Sequence, residues 1–130
     1  MKTINETNYV KVAESVIKKL SSKKDKRGKS VPMVTTSKLR NLLAMTADIY
    51  NEVEKKQEEK LTPEVVSKIQ YLKLRFVYEA GREQKVKDLI NEAKLLDVLD
   101  EIGGSRKNYI LFSHYMEALV AYHRFYGGKE

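Results

Sequence analysis

Lys68, Arg75 and Arg82 stand seven residues apart in the stretch VVSKIQYLKLRFVYEAGR, residues 65–82. If the stretch is a helix, two turns nearly return to the same direction, so the three cations form one stripe with about 10 Å between neighbours. Tyr71 and Tyr78 run beside it at the same spacing. Cations interleaved with aromatic rings on one face suit a single-stranded nucleic acid, through phosphate contacts and base stacking. The plainer alternative is a solvated flank whose long basic stems cover the edge of a core. A second basic pair, Lys38 and Arg40, follows the hydroxyl run Thr35-Thr36-Ser37. A helix beginning there would have free amides and a positive dipole end, where acids rather than bases are preferred. Hydroxyls, free amides and two cations together make a phosphate seat, against an alternative of ordinary capping with exposed basic side chains. The third candidate lies in SSKKDKRGKSVP, residues 21–32, where Lys26, Arg27 and Lys29 belong to a run of five basic residues and one acid. Such a segment contacts nucleic acid by charge alone and reads no sequence; otherwise it is a solvated linker.

Catalytic chemistry is not written in these residues. The two histidines, His114 and His123, are nine apart. On one helix that places them on opposite sides, unable to share a metal. Without cysteine there is neither disulfide nor thiolate metal site. No Gly-rich phosphate loop is present. Arg106 precedes His114 by eight residues, whereas helical ribonucleases of the HEPN type place Arg and His four to six apart. The expectation is therefore no catalytic set, no metal and no cofactor, with His114 a core or boundary residue.

Five helices are expected to position these side chains in an all-α, compact single-domain bundle spanning residues 1–130. The first runs from about Tyr9 to Leu20, with Asn5 or Asn8 before it, and a basic mobile loop at about 21–32 follows. The second begins near Thr35-Thr36-Ser37, buries Leu39, Leu42, Leu43, Thr46, Ile49, Tyr50 and Val53, and frays through Glu54–Lys60. The third has Thr62 as cap, Pro63 at its first position, and Gly81 as its stop. Val65, Ile69, Leu72, Phe76 and Ala80 follow one buried face, and Leu74, Tyr71 and Tyr78 add bulk opposite. A two-sided apolar pattern predicts a helix in the middle of the bundle. The fourth, about Glu83–Ile102, turns Val86, Leu89, Ile90, Ala93, Leu96 and Leu99 inward and stops at Gly103-Gly104. The fifth starts after Ser105, reaches about Tyr126, and holds six of the eleven aromatic residues.

Charge is distributed unevenly. Residues 1–40 carry eleven Lys or Arg and three Asp or Glu, net +8; residues 41–130 carry fourteen and fifteen, net −1. A basic end of this kind implies a polyanionic partner. A membrane partner is disfavoured, because the basic residues do not lie opposite a strongly apolar face. No apolar run of spanning length or leader-like start is visible, and with the absence of cysteine this leads to an expected cytoplasmic location.

Two segments carry a resemblance. TTSKLRNLLAMTADIYN at Thr35–Asn51 and YLKLRFVYEAGR at Tyr71–Arg82, followed by VKDLINEAKLL, resemble the small subunit of the type III-A CRISPR effector, the Csm complex. The likeness covers roughly Val31–Tyr126. It implies a five-helix protein without catalytic residues, partnered by other subunits of the complex and by copies of itself stacked head to tail, lining the path of target RNA. Cleavage of RNA and DNA and synthesis of cyclic oligoadenylate would belong to other subunits. The basic positions within the shared segments are Lys38, Arg40, Arg75 and Arg82. The alternative is a purely structural helical spacer that touches no RNA.

Overall fold

A computed structural model describes residues 1–130 as six helices: α1 (Tyr9–Ser21), α2 (Thr36–Lys55), α3 (Pro63–Arg82), α4 (Gln84–Glu92), α5 (Leu95–Glu101) and α6 (Arg106–Phe125). There is no sheet; the only bridges are Lys24 with Ser30 and Lys60 with Ser105. Three helix starts follow local capping chemistry. The side-chain oxygens of Thr35, Thr62 and Ser105 accept from the amides of Lys38, Val65 and Asn108, each three residues on.

The sixth helix comes from a break in the expected fourth one. Lys94 adopts a left-handed backbone, φ 54°, and separates α4 from α5. A continuous helix would turn Leu96 inward; after the break it is Leu95, Val98 and Leu99 that are buried. Tyr115 stabilises the break from outside by donating its hydroxyl to the Ala93 carbonyl at 2.9 Å. Gly81 is also not a stop. The helix runs through it to Arg82, and Glu83, extended at φ −145°, turns the chain directly into α4. Gly103 and Gly104 do end α5, both at positive φ.

The centre of the bundle is α6, not α3. Tyr109, Phe112, Tyr115, Met116 and Leu119 are all fully buried, and α6 packs on α1, α2 and α5. Tyr109 donates its hydroxyl to the Thr46 carbonyl of α2 at 2.8 Å, which satisfies a polar group in the interior. The helix α3 packs on α2, α4 and α5 through Val65, Ile69, Leu72 and Phe76. Its second apolar side faces outward, with Tyr71 62 %, Leu74 60 %, Val77 46 % and Tyr78 53 % exposed. Periodicity reports which side chains are apolar, not how many neighbours a helix has, so a central helix and an edge helix with an uncovered apolar face read alike.

Before α1 the chain straps across the end of α5. The Glu101 carboxylate accepts from the amides of Lys2 and Thr3 and from the Thr3 hydroxyl, at 2.7–3.0 Å, and Ile4 is fully buried. Between α1 and α2, Asp25 organises a turn. Its carboxylate accepts from the amides of Arg27 and Lys29, and Gly28 supplies the positive φ of 79° that the turn requires.

Candidate nucleic-acid interface

Two ion pairs fix how α2 and α3 run. Lys68 bonds Glu52 at 2.8 Å, and Lys38 is paired with Glu83. The helices are therefore antiparallel, and the start of α2 meets the end of α3. Fourteen residues separate positions 38 and 52, so the two pairs lie about 20 Å apart.

At the meeting point is a groove of about 610 Å³ with no hydrophobic residue in its lining: Ser37, Lys38, Arg40 and Asn41 from α2, Glu79 and Arg82 from the last turn of α3, and Glu83 from the turn into α4. The tertiary fold thus joins Lys38 and Arg40 with Arg82, residues more than forty positions apart. Arg75 lies one step up α3. Its guanidinium is 5.4 Å from the Tyr78 ring centre, and that of Arg82 is 5.6 Å from the same ring. Glu79 bonds both arginines, at 3.7 and 3.8 Å. The ring and the carboxylate thus hold the two guanidiniums near each other, Arg82 in the groove lining and Arg75 outside it.

Lys68 does not join this set. Besides Glu52 it reaches Glu64 at 3.8 Å. The Lys68 hydrogen bond holds the Glu52 carboxyl below its usual range, and the Glu52 bond in turn raises the Lys68 ammonium. Tyr71 lies between the two ends of α3 and is exposed. Lys26, Arg27 and Lys29 are exposed on the Asp25 turn, whose base is tied to α4 by Lys23 and Asp88 at 3.2 Å.

The basic residues of the stripe and of the α2 start are not free cations: Lys38, Lys68, Arg75 and Arg82 all have carboxylate partners. Arg40 alone of the five is exposed and outside every ion pair. These pairs are half-exposed, and exposed pairs contribute at most about 1 kcal/mol each, so a phosphate can replace a carboxylate at little cost. The amide seat at the start of α2 is also partly filled. The Thr36 amide donates to the Lys129 carbonyl at 2.7 Å and the Lys38 amide to Thr35 Oγ1 at 3.3 Å. What the groove offers an anion is side-chain charge.

Glu79 was legible in the sequence, four residues after Arg75 and three before Arg82, the spacing of helical ion pairs. Glu83 and the C-terminal residues were not, because only the packing of distant elements places them.

His114 is half-buried between the rings of Tyr9 and Tyr50, 6.3 and 6.2 Å away. It shares a pocket of about 500 Å³ with Arg106. The Arg106 guanidinium, however, donates to the carbonyls of Val53 and Glu54 at the end of α2, a helix-capping role. No cluster of three His, Cys, Asp or Glu side chains forms a metal-binding group, and no helix is long and apolar enough to cross a membrane.

Comparison with known proteins adds a family. The Csm2 Type III-A family model matches residues 14–129. The chain is 42 % identical over 130 residues to the CRISPR system Cms protein Csm2 of Streptococcus thermophilus, covering all of both chains. It is 40 % identical over 128 residues to the protein of that name from Mycobacterium tuberculosis (strain CDC 1551 / Oshkosh), covering 98 % of each. The similarity to that of Enterococcus italicus is 36 % over 121 residues, 88 % of this chain and 86 % of the relative. Matches of this extent, over a chain that folds into helices alone, show that it belongs to the Csm2 family of type III-A CRISPR systems.

Proposed function

We propose that this chain is a non-catalytic subunit that holds target RNA by its backbone in the groove between the start of α2 and the end of α3. As a Csm2 family member it is a subunit of the type III-A Csm complex, with the other subunits of that complex as partners. The observation that carries the reading is the convergence of Lys38, Arg40 and Arg82 in one polar groove, flanked by Arg75 and an exposed aromatic ring. Three cations against two carboxylates leave the groove with an excess of one positive charge. Sequence-independent contacts suffice where a paired guide supplies specificity. Lys68, Tyr71 and the turn residues Lys26, Arg27 and Lys29 would extend the surface by charge and stacking. Copies of the chain stacked head to tail would repeat the groove along a filament.

A second reading, a spacer that meets only proteins, draws support from the aliphatic part of the exposed α3 face, Leu74 and Val77, which a nucleic acid does not need. A salt titration of target-RNA binding by the assembled complex separates the two. Arg40→Ala and Arg82→Ala should each lower the magnitude of the salt slope by about 0.7, for every RNA sequence alike. Lys55→Ala, at the far end of α2, should not. Equal slopes in all variants would favour the spacer. The purified chain should leave RNA uncut, and a cleavage activity lost in His114→Ala would defeat the non-catalytic reading.

A further inference from the structure

His123 is fully buried where three segments meet. A carbonyl can only accept, so the ring Nε2–H donates to the Val34 carbonyl, at 2.6 Å. In the neutral ring Nδ1 then accepts the Thr36 hydroxyl, a long bond at 3.4 Å. Both partners belong to the approach and first turn of α2. After α6 the chain reverses at Gly127, φ 86°, and two short backbone bonds pin it down. The Gly128 amide donates to the His123 carbonyl, and the Thr36 amide donates to the Lys129 carbonyl, both at 2.7 Å. A side chain at Gly128 would place its first carbon 2.1 Å from the His123 ring. Only glycine lets the tail lie this close.

The first amides of a helix have no partner within it. Here Thr36 is fully buried, and the carbonyl that satisfies its amide comes from the opposite end of the chain. Removing the tail takes away both that carbonyl and the cover over Thr36, so water replaces a fixed partner and the first turn of α2 is free to fray or shift. Lys38 and Arg40 are two and four residues further on. We infer that His123 and the tail Gly127–Lys129 are positioning residues for the groove: they hold the first turn of α2 in the place where Lys38 and Arg40 face Arg82. This inference rests on the proposed groove function.

A chain ending at Tyr126 tests it. The removed residues include one Lys and one Glu, so net charge is unchanged. With an oligouridylate as probe, the truncated chain should bind several-fold more weakly. Its salt slope should fall in magnitude by as much as Lys38→Ala and Arg40→Ala remove together, up to about 1.4. Adding those two substitutions to the truncation should cause little further loss, because coupled sites are not additive. Gly128→Ala should act in the same direction. His123→Gln, which retains a donor for Val34, should recover more binding than His123→Ala, all compared below the melting transition of each variant. A truncated chain with unchanged or tighter binding, or strictly additive losses, overturns the positioning role while leaving the groove intact. If Lys38→Ala and Arg40→Ala themselves leave the slope unchanged, the groove reading falls and this one with it.

Discussion

Tyr78 has a guanidinium on each side of it in sequence, Arg75 three residues before and Arg82 four after, and both lie over its ring. A base stacking on that ring must compete with them. The ring serves first to orient two cations, a contact worth about 0.5–1 kcal/mol at an exposed site. Tyr78→Phe keeps the aromatic face and should bind RNA nearly as the parent does. Tyr78→Ala should weaken binding by about that amount and reduce the salt slope, since the two arginines lose their common anchor. Tyr71 has no cation over it and remains open to a base. If Tyr71 stacks, its replacement by Ala should cost about 1–3 kcal/mol with the slope unchanged. A binding titration at two salt concentrations distinguishes the two tyrosines.

Lys94 is the one non-glycine residue at positive φ, and it decides that six helices form rather than five. A left-handed backbone costs an ordinary residue about 1–2 kcal/mol. Lys94→Gly should therefore stabilise the fold by up to about 1 kcal/mol, the relief being partly offset by the chain entropy that glycine loses. Lys94→Val should destabilise it. Thermal melting of the pair measures both signs. On α3 the buried side is what anchors the groove. Leu72 is 3 % and Phe76 0 % exposed, and Phe76 lies 6.4 Å from the Phe112 ring of α6. Leu72→Ala or Phe76→Ala should each cost about 2 to 5 kcal/mol, read as a lower melting midpoint.

The two chain ends close the molecule in different ways, the tail on α2 and the N-terminal strap on α5. The strap depends on one carboxylate. Burial would raise the Glu101 carboxyl, but the Thr3 hydroxyl, the amides of Thr3 and Lys2, and the N-terminal ammonium together hold it below the ordinary value of 4.5. A depressed carboxyl adds stability that is fully present above its unfolded value and is lost as pH falls through the folded one. The melting midpoint should drop on acidification below about pH 4.5. Glu101→Gln should be less stable than the parent near neutrality and converge on it in acid. A constant gap from about pH 7 to pH 3 would mean that the carboxylate charge does not hold the strap.

Local chemistry by itself determined the helix starts at Thr35, Thr62 and Ser105 and the double-glycine end of α5. It also determined the inward faces of α2 and α3. Capping, glycine geometry and side-chain spacing act within a few residues, so the chain states them directly. The family resemblance carried by residues 35–51 and 71–82 was legible for the same reason, and the match over residues 14–129 bears it out. Only the tertiary structure decided that α6 is central, that α3 leaves an apolar face uncovered, and that Lys38 and Arg40 share a groove with Arg82 while Lys68 is held by Glu52 at the far end of α2. It also decided that His123 is a buried hydrogen-bonding residue and that Gly128 must be glycine. Each of these depends on which elements meet, and that is set by the summed packing of a core drawn from all six helices. No window of a few residues contains that sum.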